Sequence, residues 1–380
     1  MKAKIIILAA ALILAILAGV QFAGLRQGCD SFVPSMACKT RHLGDYEPSL
    51  RGTAGDAPLY IFDSGTEGGT LFVMGGTHPN ESAAILSTYV LMENLALEKG
   101  RVIVLPIASI SASTAGLSGF GYPSYYSLET AWGTKTYKVG SRLASPLDQW
   151  PDPVIFMQYP SGIGLCYEDA RNLNRNYPGR SDGSLTERVG KAIMAILDEE
   201  EVDYAFDLHE ASITYPTNHA IITDEESSDL AFMASMMLDS QGIGLGVEIS
   251  SDSLRGFSHQ EWGRIGQVHG FLVEVPTAFI DRITGPMTEA LIVQGKDEFL
   301  ARMSSLGFST YDYTDEGLDI SSRCAMHLSA IASILEAGAL MYPETEIIAS
   351  WPAFEELGQH GVGAFIHEPS QASILVKPAL

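Results

Sequence analysis

The sequence predicts an α/β fold built on a mainly parallel or mixed sheet. Short apolar runs bounded by turn residues alternate with longer segments whose apolar residues have helical spacing. This alternation is typical of domains in which helices cover a sheet. The chain of 380 residues has an ordinary globular composition, with 46% hydrophobic and 18% charged residues, so it can bury a substantial core.

The predicted elements follow one another along the chain. Strands are expected at Leu59–Asp63, Thr70–Met74, Arg101–Ile107, Asp203–Leu208, Ala220–Thr223, Val247–Ser250 and Phe271–Val275. Helices are expected at Ser82–Lys99, Ser184–Glu200, Leu230–Ser240, 287–305 and 320–337. Residues 110–170 are rich in Gly, Ser, Tyr and Pro and have little periodicity. Because such a long stretch usually has a function, we expect an insert able to act as a lid within a domain spanning 58–380.

The first 28 residues have the features of a membrane-targeting segment. Lys2 and Lys4 precede an uncharged apolar run, which fits either a removed signal peptide or an uncleaved membrane anchor. Residues 29–57 are expected to form a linker or an ordered extension. We therefore expect the rest of the chain outside the cytoplasmic membrane, in the periplasm or at the cell surface, with membrane contact only through residues 5–25.

The charge of the chain excludes some partners. There are 46 Asp and Glu residues against 23 Lys and Arg, which gives a net charge of −23. A strongly acidic surface repels nucleic acid, so we expect no nucleic-acid partner. An anionic substrate would need arginines concentrated in its site. Cys29 and Cys38 could form a small disulfide loop in an oxidising compartment, or both could remain thiols.

Two motifs carry residue types that bind metal ions. The first follows a predicted strand and reads Gly-Gly-Thr-His-Pro-Asn-Glu over residues 75–81. His78 and Glu81 are close enough at a helix start to face one point, and imidazole and carboxylate are zinc ligands. The second motif ends another predicted strand, where Asp207 and His209 lie on one face. The alternatives are a helix-terminal Glu81 and a strand-end His209 that is bonded to Asp207.

Two further motifs carry polar groups suited to a substrate. Residues 171–176 read Arg-Asn-Leu-Asn-Arg-Asn, and guanidinium groups bind carboxylates through paired hydrogen bonds. Glu274 closes an otherwise apolar strand, where a buried carboxylate needs a partner or a function such as general base. A solvated loop and a salt-bridged core glutamate are the structural alternatives.

Together the four motifs resemble the zinc carboxypeptidase-like superfamily and, within it, the succinylglutamate desuccinylase/aspartoacylase family. The ligand motif of that family reads Gly-Gly-Thr-His-Gly-Asn-Glu, and here Pro79 replaces the glycine that follows the histidine. The Asp-x-Asn-Arg motif is matched over 172–175, the third ligand by His209 and the base by Glu274 in Val-Glu-Val-Pro. The order agrees over residues 59–280. The resemblance implies a zinc carboxypeptidase-like fold, a mixed, mainly parallel sheet flanked by helices on both faces.

The resemblance also implies one zinc ion per chain, held by His78, Glu81 and His209. Asn172 and Asp207 would orient the ligands from behind. Asn172 stands where the superfamily has an Asp, so somewhat weaker metal binding is expected. Glu274 and Arg175 would be the catalytic residues. The substrate-binding candidates are Asn174, Arg175, Arg171 and Arg264, with Arg255 as an alternative.

Three functions are compatible with these residues. The first is a zinc-dependent hydrolase that cleaves an amide bond of a carboxylate-bearing small molecule, as an N-acyl amino acid deacylase does. The second is a metallocarboxypeptidase that acts on short peptides of the cell envelope. The third is a non-catalytic surface binding protein with the same fold. His259 and the insert tyrosines Tyr122, Tyr125 and Tyr126 are further residues that could reach the site.

Overall fold

The computed structural model describes residues 2–27, 30–116, 122–281, 285–370 and 374–376. Its helices, numbered in chain order, are α1 Lys2–Gln27, α2 Leu43–Tyr46, α3 Ser82–Asn94, α4 Ile110–Ser113, α5 Leu185–Glu199, α6 Ser228–Ser240, α7 Ser258–Gly263, α8 Glu289–Val293, α9 Glu298–Ser305, α10 Ile320–Met341 and α11 Phe354–His360. Its strands are β1 Asp30–Phe32, β2 Cys38–His42, β3 Pro58–Asp63, β4 Thr70–Met74, β5 Ala96–Lys99, β6 Arg101–Leu105, β7 Tyr125–Thr130, β8 Gly133–Lys138, β9 Phe156–Met157, β10 Gly164–Leu165, β11 Tyr204–Ser212, β12 Ala220–Thr223, β13 Gly246–Ile249, β14 His269–Thr277, β15 Ile348–Ser350 and β16 Ile374–Val376.

One large mixed sheet joins strands from most of the chain. Its order is β13-β12-β14-β11-β4-β6-β3-β2. The central strands β6, β4, β11 and β14 run parallel to their neighbours in this group, as does β13 to β12. The β2–β3, β3–β6 and β12–β14 pairs are antiparallel. The predicted mixed, mainly parallel sheet is confirmed.

Helices cover both faces of this sheet. On β11, Asp207 accepts a hydrogen bond from Ser258 of α7 (2.6 Å), whereas Glu210 accepts one from the backbone N–H of Ala83 in α3 (2.7 Å). Successive strand residues separated by an odd number point to opposite faces, so α7 and α3 lie on opposite sides. Helix α10 lies with α3, because its Arg323 pairs with Glu210. All residues of β4 and β11 are buried, as expected for strands covered on two sides.

Two central strands extend beyond their predicted ends. Strand β11 continues to Ser212 and β14 to Thr277, past the predicted ends at Leu208 and Val275. Their parallel register places His209 beside Glu274. Both residues therefore lie inside paired strands near the carboxyl edge of the sheet, where the backbone ladder fixes their positions.

The helix predicted at Ser82–Lys99 is shorter in the structure. It ends at Asn94, whose Nδ2 donates to the carbonyl oxygens of Val90 and Phe365, both at 2.8 Å. The next residues form β5, which pairs with β15 from the distant C-terminal region. The helical spacing of the apolar residues does not reveal that partner, so the sequence prediction was wrong for Ala96–Lys99.

The helix predicted over 287–305 is two helices, α8 and α9. Gly295 has a φ of 59°, a conformation that favours glycine and ends helices. Asp297 then begins α9 by accepting hydrogen bonds from the backbone N–H groups of Phe299 (2.9 Å) and Leu300 (3.1 Å).

The insert over residues 110–170 is more regular than its composition predicts. It contains α4, the β7–β8 hairpin and the short β9–β10 pair. Tyr126 is buried in the hairpin and stacks on Tyr137 with ring centroids 5.4 Å apart, and Tyr125 is exposed. Tyr122 packs edge-on against Phe279 with ring centroids 5.0 Å apart and lines a cavity.

The N-terminal region has two parts. Helix α1 is long and apolar enough to cross a membrane, with a mean hydropathy of 2.8, and none of it is buried in the domain. Helix α10 also meets this criterion, but it is largely buried. Between residues 30 and 57, β2 forms the edge of the large sheet. Cys29 lies outside the described residues, so its pairing with Cys38 stays a prediction.

We predict that Arg323→Leu destabilises the fold strongly. The change leaves the buried Glu210 carboxylate without its cation, and loss of one partner of a buried pair costs about 3–5 kcal/mol. Urea denaturation should show this decrease in the free energy of unfolding. Arg302→Leu, an exposed position on α9, is the control and should change it by less than about 0.5 kcal/mol. Equally small effects of the two changes on the free energy of unfolding would contradict a stabilising role of the ion pair between Arg323 and Glu210.

Candidate metal centre

The first candidate ligands lie on a tight turn between β4 and α3. Gly76 has a φ of 60°, and a Cβ atom there would lie 2.9 Å from the Cα of Ile107. Glycine therefore allows the turn to pass close to the chain that follows β6. The turn directs His78 and Glu81 towards the carboxyl end of β11, where His209 lies.

His78, Glu81 and His209 form one buried cluster. One ligand atom from each residue lies within 4.8 Å of the others. The Nδ1 atom of His78 is 2.7 Å from Oε1 of Glu81, and Nδ1 of His209 is 2.9 Å from Oε2 of the same carboxylate. The side chains are at most 2% exposed. Two imidazoles and one carboxylate are a donor set that fits a zinc ion with an open position.

The charges in the cluster suit a cation. Burial, reinforced by the nearby Arg142 guanidinium, lowers the pKa of His78 to about 4, so this imidazole is neutral at pH 7. Burial also acts against the charged forms of Glu81 and His209, but the imidazoles of His78 and His209 outweigh it at Glu81, and the carboxylates of Asp207 and Glu81 outweigh it at His209. The pKa of Glu81 is therefore lowered, and that of His209, which also faces Asp207, is raised. A divalent cation bound by the carboxylate would take the place of the His209 proton.

Both imidazoles are oriented from behind. Nε2 of His78 lies 2.9 Å from Oδ1 of Asn172, and Nε2 of His209 lies 2.9 Å from Oδ2 of Asp207. Asp207 is itself fixed by hydroxyl donors, Thr77 at 2.8 Å and Ser258 at 2.6 Å. The Nδ1 atom of each ring faces Glu81. Partners of this kind fix the tautomer and the direction of a metal ligand.

Glu274 is the second carboxyl group at this centre. It lies next to His209 in the β11–β14 register and lines the same pocket. Its buried Oε2 atom has no hydrogen-bond partner among the described residues. Burial raises the pKa of Glu274 to about 7, although the charge of His209 opposes this increase by more than the Glu81 carboxylate adds to it. A carboxyl group with this pKa can exchange a proton near neutral pH.

Only one of the predicted substrate arginines lines the metal pocket. Arg175 stacks on the Phe257 ring, with Cζ 4.1 Å from the ring centroid. Burial, and then the charge of Arg142, lowers its pKa to about 10, so it stays charged at neutral pH. Asn174 also lines the pocket, and its Oδ1 accepts a hydrogen bond from the backbone N–H of Ser258 (2.9 Å).

The other predicted arginines bond elsewhere. Arg171 makes a two-point contact with Asp152, at 2.8 and 3.0 Å. Arg264 donates to the carbonyl oxygen of Asp252 at 3.0 Å, and Arg255 pairs with Glu261. None of the three lines the metal pocket, so the geometry does not bring them together with the candidate ligands.

Arg142 is a site residue that the sequence reasoning missed. Its Nη1 lies 3.9 Å from Oε1 of Glu81, and the side chain lines the metal pocket. It comes from the aperiodic insert, where no motif marks it; the only signal is the scarcity of arginine in so acidic a chain. His259 also lines the pocket, as a neutral imidazole whose Nε2 lies 2.7 Å from the Ser250 hydroxyl.

A larger cavity adjoins the metal pocket. The metal pocket has a volume of about 160 Å³ and the adjoining cavity about 600 Å³, and Arg142 lines both. The described lining of the larger cavity is mixed, with the apolar Leu143, Ile280 and Met287 beside polar and acidic groups. The centre therefore opens into a space that accommodates much more than one small acyl group.

Comparison with known proteins finds a family model that is similar to part of this region. The succinylglutamate desuccinylase/aspartoacylase catalytic domain model matches residues 161–305. The predicted resemblance is confirmed. The matched succinylglutamate desuccinylase/aspartoacylase segment contains Asn172, Arg175, His209 and Glu274, whereas His78 and Glu81 lie upstream of it and join the centre through the fold.

Individual relatives match at low identity. The N-alpha-acetyl-L-2,4-diaminobutyric acid deacetylase of Halomonas elongata is 24% identical over 215 residues, covering 55% of this chain and 48% of the relative. The chain thus spans about half the length of that relative. Among solved structures, a metallo-carboxypeptidase from Burkholderia cenocepacia is 12% identical, covering 80% of this chain and 65% of its own, with a TM-score of 0.46. An aspartoacylase family protein from Mesorhizobium loti is 18% identical, covering 66% and 65%, with a TM-score of 0.37.

We predict that Asn172→Ala weakens zinc binding by about 10- to 100-fold, because His78 loses the group that orients it. Competition with a chromophoric chelator measures this affinity. Asn172→Asp is the matched control: it keeps the acceptor and adds a charge, so zinc affinity should equal or exceed that of the wild type. Unchanged affinity in Asn172→Ala would show that Asn172 does not support the metal.

Proposed function

We propose that this protein is a zinc-dependent hydrolase that cleaves an amide bond in a carboxylate-bearing substrate, as an N-acyl amino acid deacylase does. The observation that carries the proposal is the cluster of His78, Glu81 and His209 with Glu274 on the same wall. A buried glutamate with an unpartnered oxygen beside such a cluster has the position of a general base rather than that of a structural ion pair.

The residues of the chain divide the proposed reaction between them. When bound, zinc would supply Lewis acidity that polarises the scissile carbonyl and lowers the pKa of a water molecule. Glu274 would accept the proton of the attacking water and deliver it to the leaving amine. The guanidinium groups of Arg142 and Arg175 would hold substrate carboxylate and stabilise negative charge that develops on the carbonyl oxygen.

Two features support a carboxylate-bearing substrate. The chain has a net charge of −23, yet two arginines, Arg142 and Arg175, line this one pocket. Arg175 stacks on Phe257 and forms no ion pair with a carboxylate among the described residues. The name of the Halomonas relative describes a deacetylase acting on an acetylated amino acid, which agrees with this substrate class.

A second function, a metallocarboxypeptidase acting on short peptides, is favoured by one observation. The cavity of about 600 Å³ beside the metal pocket is larger than an N-acetyl amino acid requires.

We also propose that the domain works outside the cytoplasmic membrane. Lys2 and Lys4 precede the apolar part of α1, and positive charge flanking an apolar helix favours the cytoplasmic side.

We predict that Glu274→Gln retains zinc but loses activity by about 10²- to 10⁴-fold in kcat, because the amide cannot accept the proton of water. Metal analysis and hydrolysis assays on the same preparation measure both properties. Glu316→Gln removes an exposed carboxylate and should leave both unchanged. Full activity in Glu274→Gln would remove this residue from the mechanism.

We further predict that the free carboxylate of the substrate is required. N-acetyl amino acids and short peptides should be hydrolysed with a kcat/KM about 10- to 100-fold higher than their carboxamide analogues, because charged hydrogen bonds to arginine are lost in the amides. Arg175→Gln should reduce this preference. The ratio between peptides and N-acyl amino acids distinguishes the two functions. Zinc binding with no hydrolysis of either class would instead support a non-catalytic binding protein.

A further inference from the structure

The insert exposes an unusual number of large apolar side chains in a short stretch. We define the insert patch as Leu147, Trp150, Val154, Ile155 and Met157. Trp150 is 72% exposed and Val154 is 94% exposed, and the other three side chains are more than half exposed. Single exposed apolar residues are ordinary in soluble proteins, but a dense group of them marks a contact surface.

The insert patch carries no uncompensated charge. Only two charged residues, Asp148 and Asp152, lie between residues 147 and 157. Asp152 makes a two-point contact with Arg171, at 2.8 and 3.0 Å. Asp148 makes one with Arg26, at 2.6 and 3.1 Å. Each carboxylate is therefore paired with a guanidinium group, which lowers the free-energy cost of bringing this surface against an apolar phase.

The partner of Asp148 links the insert patch to the N-terminal helix. Arg26 is in the last turn of α1, and its guanidinium also donates to the Thr114 hydroxyl at 3.1 Å. The carbonyl oxygen of Leu25, one residue earlier, accepts a hydrogen bond from Lys138. The C-terminal end of α1 therefore contacts the insert at Asp148, next to Leu147 of the insert patch.

Helix α1 has the dimensions of a membrane span. Its 26 residues extend roughly 39 Å at the usual rise of an α-helix, and the hydrocarbon core of a bilayer is about 30 Å thick. Its side chains are exposed from Lys2 to Gly24. If α1 spans a bilayer, the ion pair between Arg26 and Asp148 would lie where the helix leaves the apolar layer, next to the start of the insert patch.

We propose that the insert patch lies in the interfacial layer of the same bilayer that α1 crosses. In this arrangement the domain contacts the membrane through both α1 and the insert patch, and not through α1 alone. Tryptophan favours this interfacial layer. The seating depends on apolar contact, since a chain with a net charge of −23 gains nothing from anionic headgroups. The end of the insert, at Cys166 and Glu168, lines the larger cavity, so the seating holds this cavity near the membrane surface.

The test uses the full chain in lipid nanodiscs whose acyl chains carry bromine, which quenches nearby tryptophan fluorescence. Trp150 is the exposed member of four tryptophans, so quenching of about a quarter of the emission is expected if it lies at the interface. Trp150→Phe should abolish this quenching, and Trp351→Phe, a half-buried position, should preserve it. Equal quenching in the wild type and Trp150→Phe would overturn the proposal.

A second pair of variants tests the link to α1. Arg26→Gln should decrease the quenching of Trp150 at least twofold while the chain stays in the membrane, and Lys4→Gln at the other end of α1 should leave it unchanged. If the insert patch instead binds a second copy of the chain, nanodiscs will contain two chains and Trp150 will not be quenched. If the mature protein lacks α1 and does not bind vesicles, the seating is likewise excluded. Hydrolysis assays are independent of these outcomes, so failure here leaves the proposed function intact.

Discussion

The Glu81 carboxylate, buried between two imidazoles, is the interaction on which the arrangement of the site depends. A buried carboxylate is costly unless every acceptor position is used. Here one oxygen faces His78, and the other faces His209 and accepts the backbone N–H of Glu210 at 3.1 Å. Supplying these partners requires the glycine turn after β4, the long strand β11 and the polar groups behind each imidazole. A divalent cation would take the place of the proton in these contacts, with the same three side chains as its ligands.

The sequence was sufficient for the parts of the site that depend on local spacing. His78 and Glu81 share one turn, and His209 and Glu274 follow apolar runs, so the motifs could nominate them, and the resemblance to a known family brought them together. The sequence was insufficient for residues whose contacts are made with parts of the chain that are distant in sequence. Arg142 comes from an aperiodic insert, and the engagement of Arg171 by Asp152 is decided by tertiary structure. For the same reason the strand β5 was predicted as helix, because its pairing partner lies some 250 residues away.

The distribution of charge connects the site with the proposed seating on the membrane. Five arginines of this acidic chain lie at defined places. Arg142 and Arg175 line the metal pocket, and Arg323 is in the core. Arg26 and Arg171 form ion pairs with the insert residues Asp148 and Asp152. The insert contributes to the site and to the proposed membrane contact. It supplies Arg142 to the metal pocket, and it presents an apolar, charge-compensated surface near α1. A substrate in the larger cavity would then meet Arg142, which lines both cavities, and Arg175 inside the metal pocket.

The central claim is that His78, Glu81 and His209 hold a metal ion. The measurement that tests it most directly is the zinc content of the purified protein by elemental analysis, beside His209→Ala, with zinc supplied to both. The account predicts about one zinc ion per chain in the wild type and none retained in the variant, since two remaining ligands do not hold the ion. A wild-type protein that takes up no metal, or a variant that binds zinc as well as the wild type, would contradict it.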